Sequence, residues 1–132
     1  MMKNCYCCSG KSYENCCQPF IEGIAKPPTA EALMRSRYSA NVTVNVDYLL
    51  KTTHPSTRKF LDRIEIENWA ISNSWQKLEI VSTDEGLEKD TKGKVEFKAN
   101  YRNLESKPQI HHELSNFVKE LGKWFFVDGK II

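Results

Sequence analysis

The sequence predicts an α+β domain in which helices come first and an antiparallel sheet follows. Two observations predict it. Apolar residues recur at helical spacing only between about residues 29 and 71, and after Asn73 the period changes to two. The alternating runs are separated by turn residues at hairpin spacing, Asp84-Glu85-Gly86 and Leu121-Gly122. A third observation sets the rest of the chain apart: all five cysteines of the 132 residues fall between Cys5 and Cys17. The expected organisation is a cysteine segment at 1–20, a connector at 21–28 and one domain at 29–132.

The elements follow in order. Residues 1–20 are too few to bury a core, so something other than packing must hold them. Pro27-Pro28 in the connector is extended and stops a helix. Thr29 is a good N-cap for a helix to Ala40, with Leu33, Met34, Arg37 and Tyr38 on one face. Asn45 caps a short second helix through Tyr48 and Leu49, ending before His54-Pro55. Ser56 or Thr57 opens a third, with Phe60, Leu61 and Ile64 at helical spacing. Strands are expected over Trp75–Thr83, Gly93–Leu104, Lys107–Lys119 and Lys123–Asp128, with Gly129 closing the last. In the second, Val95, Phe97, Ala99 and Tyr101 share one face; in the third, His111, Glu113, Ser115 and Phe117 do. The apolar face of such a sheet needs the helices as cover.

Composition narrows the function classes. A hydrophobic fraction of 40% and a charged fraction of 27% describe a folded chain. A formal charge of +2 gives no nucleic-acid signal, and Arg58-Lys59 and Arg63 are interspersed with Asp62, Glu65 and Glu67. No apolar run approaches the ~20 residues of a membrane helix, so no membrane insertion is expected. Met1-Met2-Lys3-Asn4-Cys5 lacks a secretory signal, which points to a cytoplasmic protein with reduced thiols.

An odd number of clustered thiols suits metal ligation better than a disulfide framework. Cys5 and Cys7 form one short pair and Cys16 and Cys17 another, so only one loop must be closed around an ion. Four thiolates are the donor set of a closed structural Zn²⁺ site, and metal binding then supplies the folding energy of the segment. Lys11 offsets part of the excess negative charge. Cys8 is a fifth thiolate and an alternate ligand, so which four of the five bind is open on spacing alone.

Cys5-x-Cys7-x-Ser9-Gly10-Lys11 followed by Cys16-Cys17 resembles the SEC-C zinc motif found at the end of the translocation ATPase SecA and in other bacterial proteins. The resemblance extends to Leu33-Met34-Arg35-Ser36-Arg37-Tyr38-Ser39-Ala40, Asp47-Tyr48-Leu49, Thr53-His54-Pro55-Ser56 and Glu113-x-Ser115-x-Phe117 through Gly122-x-Trp124-x-Phe126-Val127-Asp128-Gly129. These blocks are similar to the YchJ family. That resemblance implies a cystatin-like, nuclear-transport-factor-2-like (NTF2-like) roll after the zinc segment. The motif usually has Pro where Tyr6 stands and Gly where Cys8 stands; if that position needs positive φ, Cys8 bears a steric cost. Some relatives carry a second such segment after the roll; none follows here, so functions needing it are not expected.

The first functional expectation is a protein-interaction module that docks a partner through the zinc segment, as the SEC-C resemblance implies. The alternative is a roll that binds a small molecule or acts on one, with the zinc segment purely structural. Its candidate pocket residues are Arg37, Tyr38, His54, Trp75, His111, Glu113 and Ser115, with Arg35 nearby. A weaker alternative is a thiol sensor acting through Cys8. No residue is assigned a catalytic role. Between a reactive Glu113 and a buried Arg37–Glu113 ion pair fixing the first helix to the sheet, the ion pair is the expected state. His54, beside Pro55, reads better as a capping or loop residue than as a catalytic one.

Overall fold

The computed structural model describes residues 3–132. Met1 and Met2, which open the expected segment 1–20, lie outside the described residues. Among the described residues a one-turn 3-10 helix (Tyr13–Asn15) and five α-helices, α1 (Gln18–Ile21), α2 (Ala30–Val42), α3 (Val46–Lys51), α4 (Pro55–Arg58) and α5 (Arg63–Ser72), precede four strands. These are β1 (Ser74–Glu85), β2 (Lys92–Arg102), β3 (Pro108–Glu120) and β4 (Lys123–Ile131). They form one antiparallel meander in the order β1-β2-β3-β4.

Side-chain caps start the helices. Thr29 accepts a hydrogen bond from the Ala32 amide and Asn45 from the Tyr48 amide, satisfying donors the helices leave free. The expected third helix is broken in two. His54 caps α4, a single turn with Pro55 at its start. Arg58 is drawn back onto the Thr53 and Lys51 carbonyls, and Asp62 then caps α5 through the Ile64 and Glu65 amides. Phe60, Leu61 and Ile64 are therefore exposed rather than buried on one continuous face. The last strand also runs past Gly129, because the backbone of β3 remains available for pairing as far as Glu113↔Ile131.

The sheet curves because it is bulged. Gln76 and Val81 are extra residues in β1, and Val127 is extra in β4. The inner face carries Leu78, Val95, Phe97, Ala99, Ser115, Phe117 and Trp124, all buried. Helix α2 lies across it. At its start, Gly86 and Gly93 let the β1–β2 hairpin approach Ala30, whose amide donates to the Gly86 carbonyl at 2.9 Å. The two-residue β3–β4 turn has φ of 52° at Leu121 and 77° at Gly122, the pairing that matches strand twist.

A Cβ placed on Gly93 would sit 2.5 Å from the Gly86 Cα, a clash with backbone that side-chain rotation cannot relieve. Gly93→Ala is expected to lower unfolding stability by about 2–3 kcal/mol, measured as a shift in urea midpoint at unchanged slope.

Candidate metal centre and roll cavity

The cysteine segment is a knuckle closed by backbone. Asn4 and Ser12 form an antiparallel bridge, Cys5 N–H donates to the Lys11 carbonyl at 2.8 Å, and Tyr13 N–H to the Lys3 carbonyl at 2.8 Å. Between these rungs Cys8 has φ 64° and Gly10 φ 90°. Cys8 thus occupies the left-handed region that costs a side chain energy. Its sulfur lies against the Tyr6 carbonyl, exposed and away from the other four.

The sulfurs of Cys5, Cys7, Cys16 and Cys17 all lie within 4.8 Å of one another and could hold a metal ion. Four thiolates around Zn²⁺ at ~2.3 Å would be separated by about 3.8 Å. Cys7 to Cys16 is 3.6 Å and Cys16 to Cys17 is 3.9 Å, which fits that tetrahedron and is far from a disulfide. The donor chemistry fits too. Hydrogen bonds from the Cys17 and Cys7 thiols push the Cys5 thiol far below its ordinary range, while the same contacts push Cys17 up. Thiols this crowded cannot all ionise without a cation among them. Hydroxyls complete the surround: Ser9 Oγ is 3.2 Å from Cys16 Sγ, and Ser39 Oγ, from α2, is 3.6 Å from Cys5 Sγ. Ser9 Oγ accepts from the Lys11 amide, which leaves its own proton for the sulfur. Ser39 carries no signal in the linear motif, because it comes from a helix 34 residues away from Cys5.

On its other side α2 lines a cavity of about 350 Å³ between helices and sheet, within the size range of small-ligand sites. Arg37, Tyr38, Trp75, His111, Glu113 and Ser115 all line it. His54 does not: its Nε2 faces Glu120 Oε2, at the end of β3, at 2.9 Å, and its Nδ1 serves the α4 cap. Arg35 is also elsewhere, donating from Nη1 to the Cys7 carbonyl at 2.8 Å and from Nε to Glu31. Residues that sequence reasoning did not single out complete the walls, among them Trp69, Ala99 and Phe126.

The expected Arg37–Glu113 ion pair is absent among the described residues. Arg37 Nη1 instead donates to the Leu49 carbonyl at 3.0 Å and to the hydroxyls of Thr52 at 2.7 Å and Thr53 at 3.2 Å, and its guanidinium lies 4.5 Å from the Phe126 ring centroid. Glu113 is held by its own strand: His111 Nε2 is 2.8 Å from Oε1, and Ser115 donates to Oε2. These three side chains share a face because they are two residues apart along β3. Gly129, paired with Ser115, leaves the room that the carboxylate fills, since a Cβ there would lie 2.1 Å from Glu113 Oε2. Burial alone would raise the Glu113 pKa. The hydrogen bonds from His111 and Ser115, then the charges of His111 and Arg37, outweigh it and bring the value below the ordinary one. Burial likewise pushes Arg37 down to about 10, which leaves it cationic at neutral pH.

The family model of the YchJ middle NTF2-like domain matches residues 29–129. The chain belongs to the YchJ family. It is 43% identical over 129 residues to a UPF0225 protein of Geobacter sulfurreducens, covering 98% of this chain and 80% of that one. A UPF0225 protein of Actinobacillus succinogenes is 43% identical over 127 residues, with 96% and 81% covered. The solution structure of a SEC-C motif containing protein from Rhodopseudomonas palustris superposes with TM-score 0.91 at 36% identity, covering 98% of this chain and 99% of that one. The crystal structure of another, from Psychrobacter arcticus, gives TM-score 0.80 at 40% identity, covering 94% and 75%. The NTF2-like roll behind a four-cysteine segment is thus the architecture of this YchJ-family chain. No helix among the described residues is long and apolar enough to cross a membrane.

Two outcomes follow from the site. Cys17→Ser is expected to lose bound metal, measured by elemental analysis, and to lose amide protection over residues 3–17, whereas Cys8→Ser keeps both. Because the folded pKa of Glu113 lies below its unfolded value, its stabilising contribution is complete above the unfolded value. That contribution is lost as pH falls through the folded one. Urea midpoints measured from neutral to acid pH should therefore fall less steeply for Glu113→Gln than for the wild type in that acid limb.

Proposed function

We propose that the YchJ-family roll binds a small, largely apolar molecule in the α2–sheet cavity, and that the knuckle is a structural zinc clamp. The observation that carries the first half is the open state of the cavity. It reaches Glu113, His111 and Ser115, and Arg37 does not close it by pairing with the carboxylate. An ion pair across that space would make it a plugged core. Instead, aromatic and aliphatic walls converge on a few fixed polar groups, the usual make-up of a ligand site.

The zinc assignment rests on the donor set. An all-thiolate, closed tetrahedron suits Zn²⁺, and no fifth position is left for chemistry. Cys5, Cys7 and Cys17 are buried and pack with α2, so the ion would act through structure rather than on a substrate. Docking of a protein partner through the knuckle has one observation in its favour, the exposed Lys11 beside the thiolates; Tyr13 is half-buried edge-on to Tyr6. The cavity reading has the larger support because it uses buried polar groups that the fold otherwise has no need to leave facing open space.

Ala99 is buried in the cavity wall. Titration of the wild type with 2-phenylethanol is expected to move the indole N–H resonances of Trp69 and Trp75, which line the same space. Ala99→Leu, which fills it, should abolish those shifts while leaving the amide spectrum dispersed. Indole resonances that stay fixed in the wild type, or that move equally in the filled variant, would sink the proposal.

A further inference from the structure

Arg37 has more donor capacity than the fold uses. Its three hydrogen bonds all leave from Nη1, toward the Leu49 carbonyl and the Thr52 and Thr53 hydroxyls. That set joins α2 to the end of α3 and accounts for one nitrogen. Nε and Nη2 make no hydrogen bond among the described residues, yet neither is sealed from open space, since the only buried, unpartnered side-chain polar atom among those residues is Ser12 Oγ. Arg37 lines the cavity, so this is the space its free edge meets.

The Nε–Nη2 edge of a guanidinium is a planar fork whose two donors match the two oxygens of a carboxylate. Here the fork is fixed before any ligand arrives. The Nη1 bonds pin one end and the Phe126 ring, 4.5 Å away, supports the plane. Little side-chain freedom remains to be lost on binding. Of the two carboxylates that line the cavity, Glu113 has one oxygen engaged by His111 and the other by Ser115, and Glu65 makes no ion pair with Arg37 among the described residues.

We infer that the ligand of this cavity is a small monocarboxylate with an apolar, ring-sized body, its carboxylate on Nε and Nη2 of Arg37 and its body against Tyr38, Trp69, Trp75 and Phe97. The inference rests on the cavity reading above and adds the head group. Glu65 and Glu113 line the same space, so a second negative charge on the ligand would be repelled; this selects one carboxylate rather than two.

The test uses the full chain purified with its metal and compares phenylacetate with 2-phenylethanol, which share a ring and a two-carbon arm and differ in the head group. Affinities are read from the Trp69 and Trp75 indole resonances. In the wild type phenylacetate is expected to bind about tenfold more tightly or better, as a charge-assisted pair of hydrogen bonds should give. Arg37→Gln should remove the preference and leave 2-phenylethanol binding nearly unchanged. If that variant fails to fold for want of its α3 clamp, Arg37→Lys supplies the second measurement. It keeps a cation and a donor to α3 but lacks the fork, so the preference should shrink several-fold. Equal affinity of the wild type for the two compounds, or a preference that survives unchanged in the folded variants, overturns the carboxylate inference and leaves the cavity reading standing. No shift with either compound overturns both.

Discussion

The burial of α2 on three sides is the constraint on which the rest of the structure depends. Arg35 and Ser39, one turn apart, meet the knuckle through the Cys7 carbonyl and the Cys5 sulfur. Ser36 meets α3 by sharing a hydrogen bond with the Tyr48 hydroxyl. Met34, Arg37, Tyr38 and Asn41, spaced at three and four residues, face the cavity and the sheet behind it. A helix with one apolar stripe has two polar faces to leave in water. Here small hydroxyls and arginines line those faces, so each neighbour can approach closely and still find a partner. This is why Ser36 and Ser39 are fully buried without being orphaned.

Much of this was legible in the chain because the signals are local. Thr29 and Asn45 cap their helices through amides three residues away, and the alternation in β2 and β3 assigns faces without knowledge of neighbours. What was not legible is decided between elements. The bulges at Gln76, Val81 and Val127 have no composition of their own, yet each bends its strand locally. The division of α4 from α5 turns on Arg58 finding the Thr53 and Lys51 carbonyls, a contact invisible to periodicity.

The mistaken pairing of Arg37 with Glu113 is the most informative case. Charge complementarity names groups that would benefit from meeting, but it does not rank them against nearer alternatives. His111 and Ser115 stand two residues either side of Glu113 on one strand face, so their hydrogen bonds require no further ordering of chain. Arg37 likewise finds the Leu49 carbonyl and the Thr52 and Thr53 hydroxyls at the adjoining end of α3. Each group is held by a neighbour, and the space between them remains open. The single glycine that permits this, Gly129, read in the sequence only as the end of a strand; its lack of a side chain is what lets the Glu113 carboxylate lie over β4.

The knuckle and the cavity are therefore not independent. Both are built on α2, within one helical turn of each other: Arg35 and Ser39 on one face, Arg37 and Tyr38 on the next. If the four thiols hold a metal ion, its removal would take away the cation that lets them coexist, and the Cys5 and Cys7 contacts that seat α2 would lose their anchor. A shift of α2 along its axis would move the Arg37 guanidinium relative to Phe126 and β3 before it disturbed the sheet, whose ladders do not involve α2. The four-cysteine segment needs no chemistry of its own to matter to the roll. Through Arg35 and Ser39 it holds in register the helix that carries the cavity's arginine.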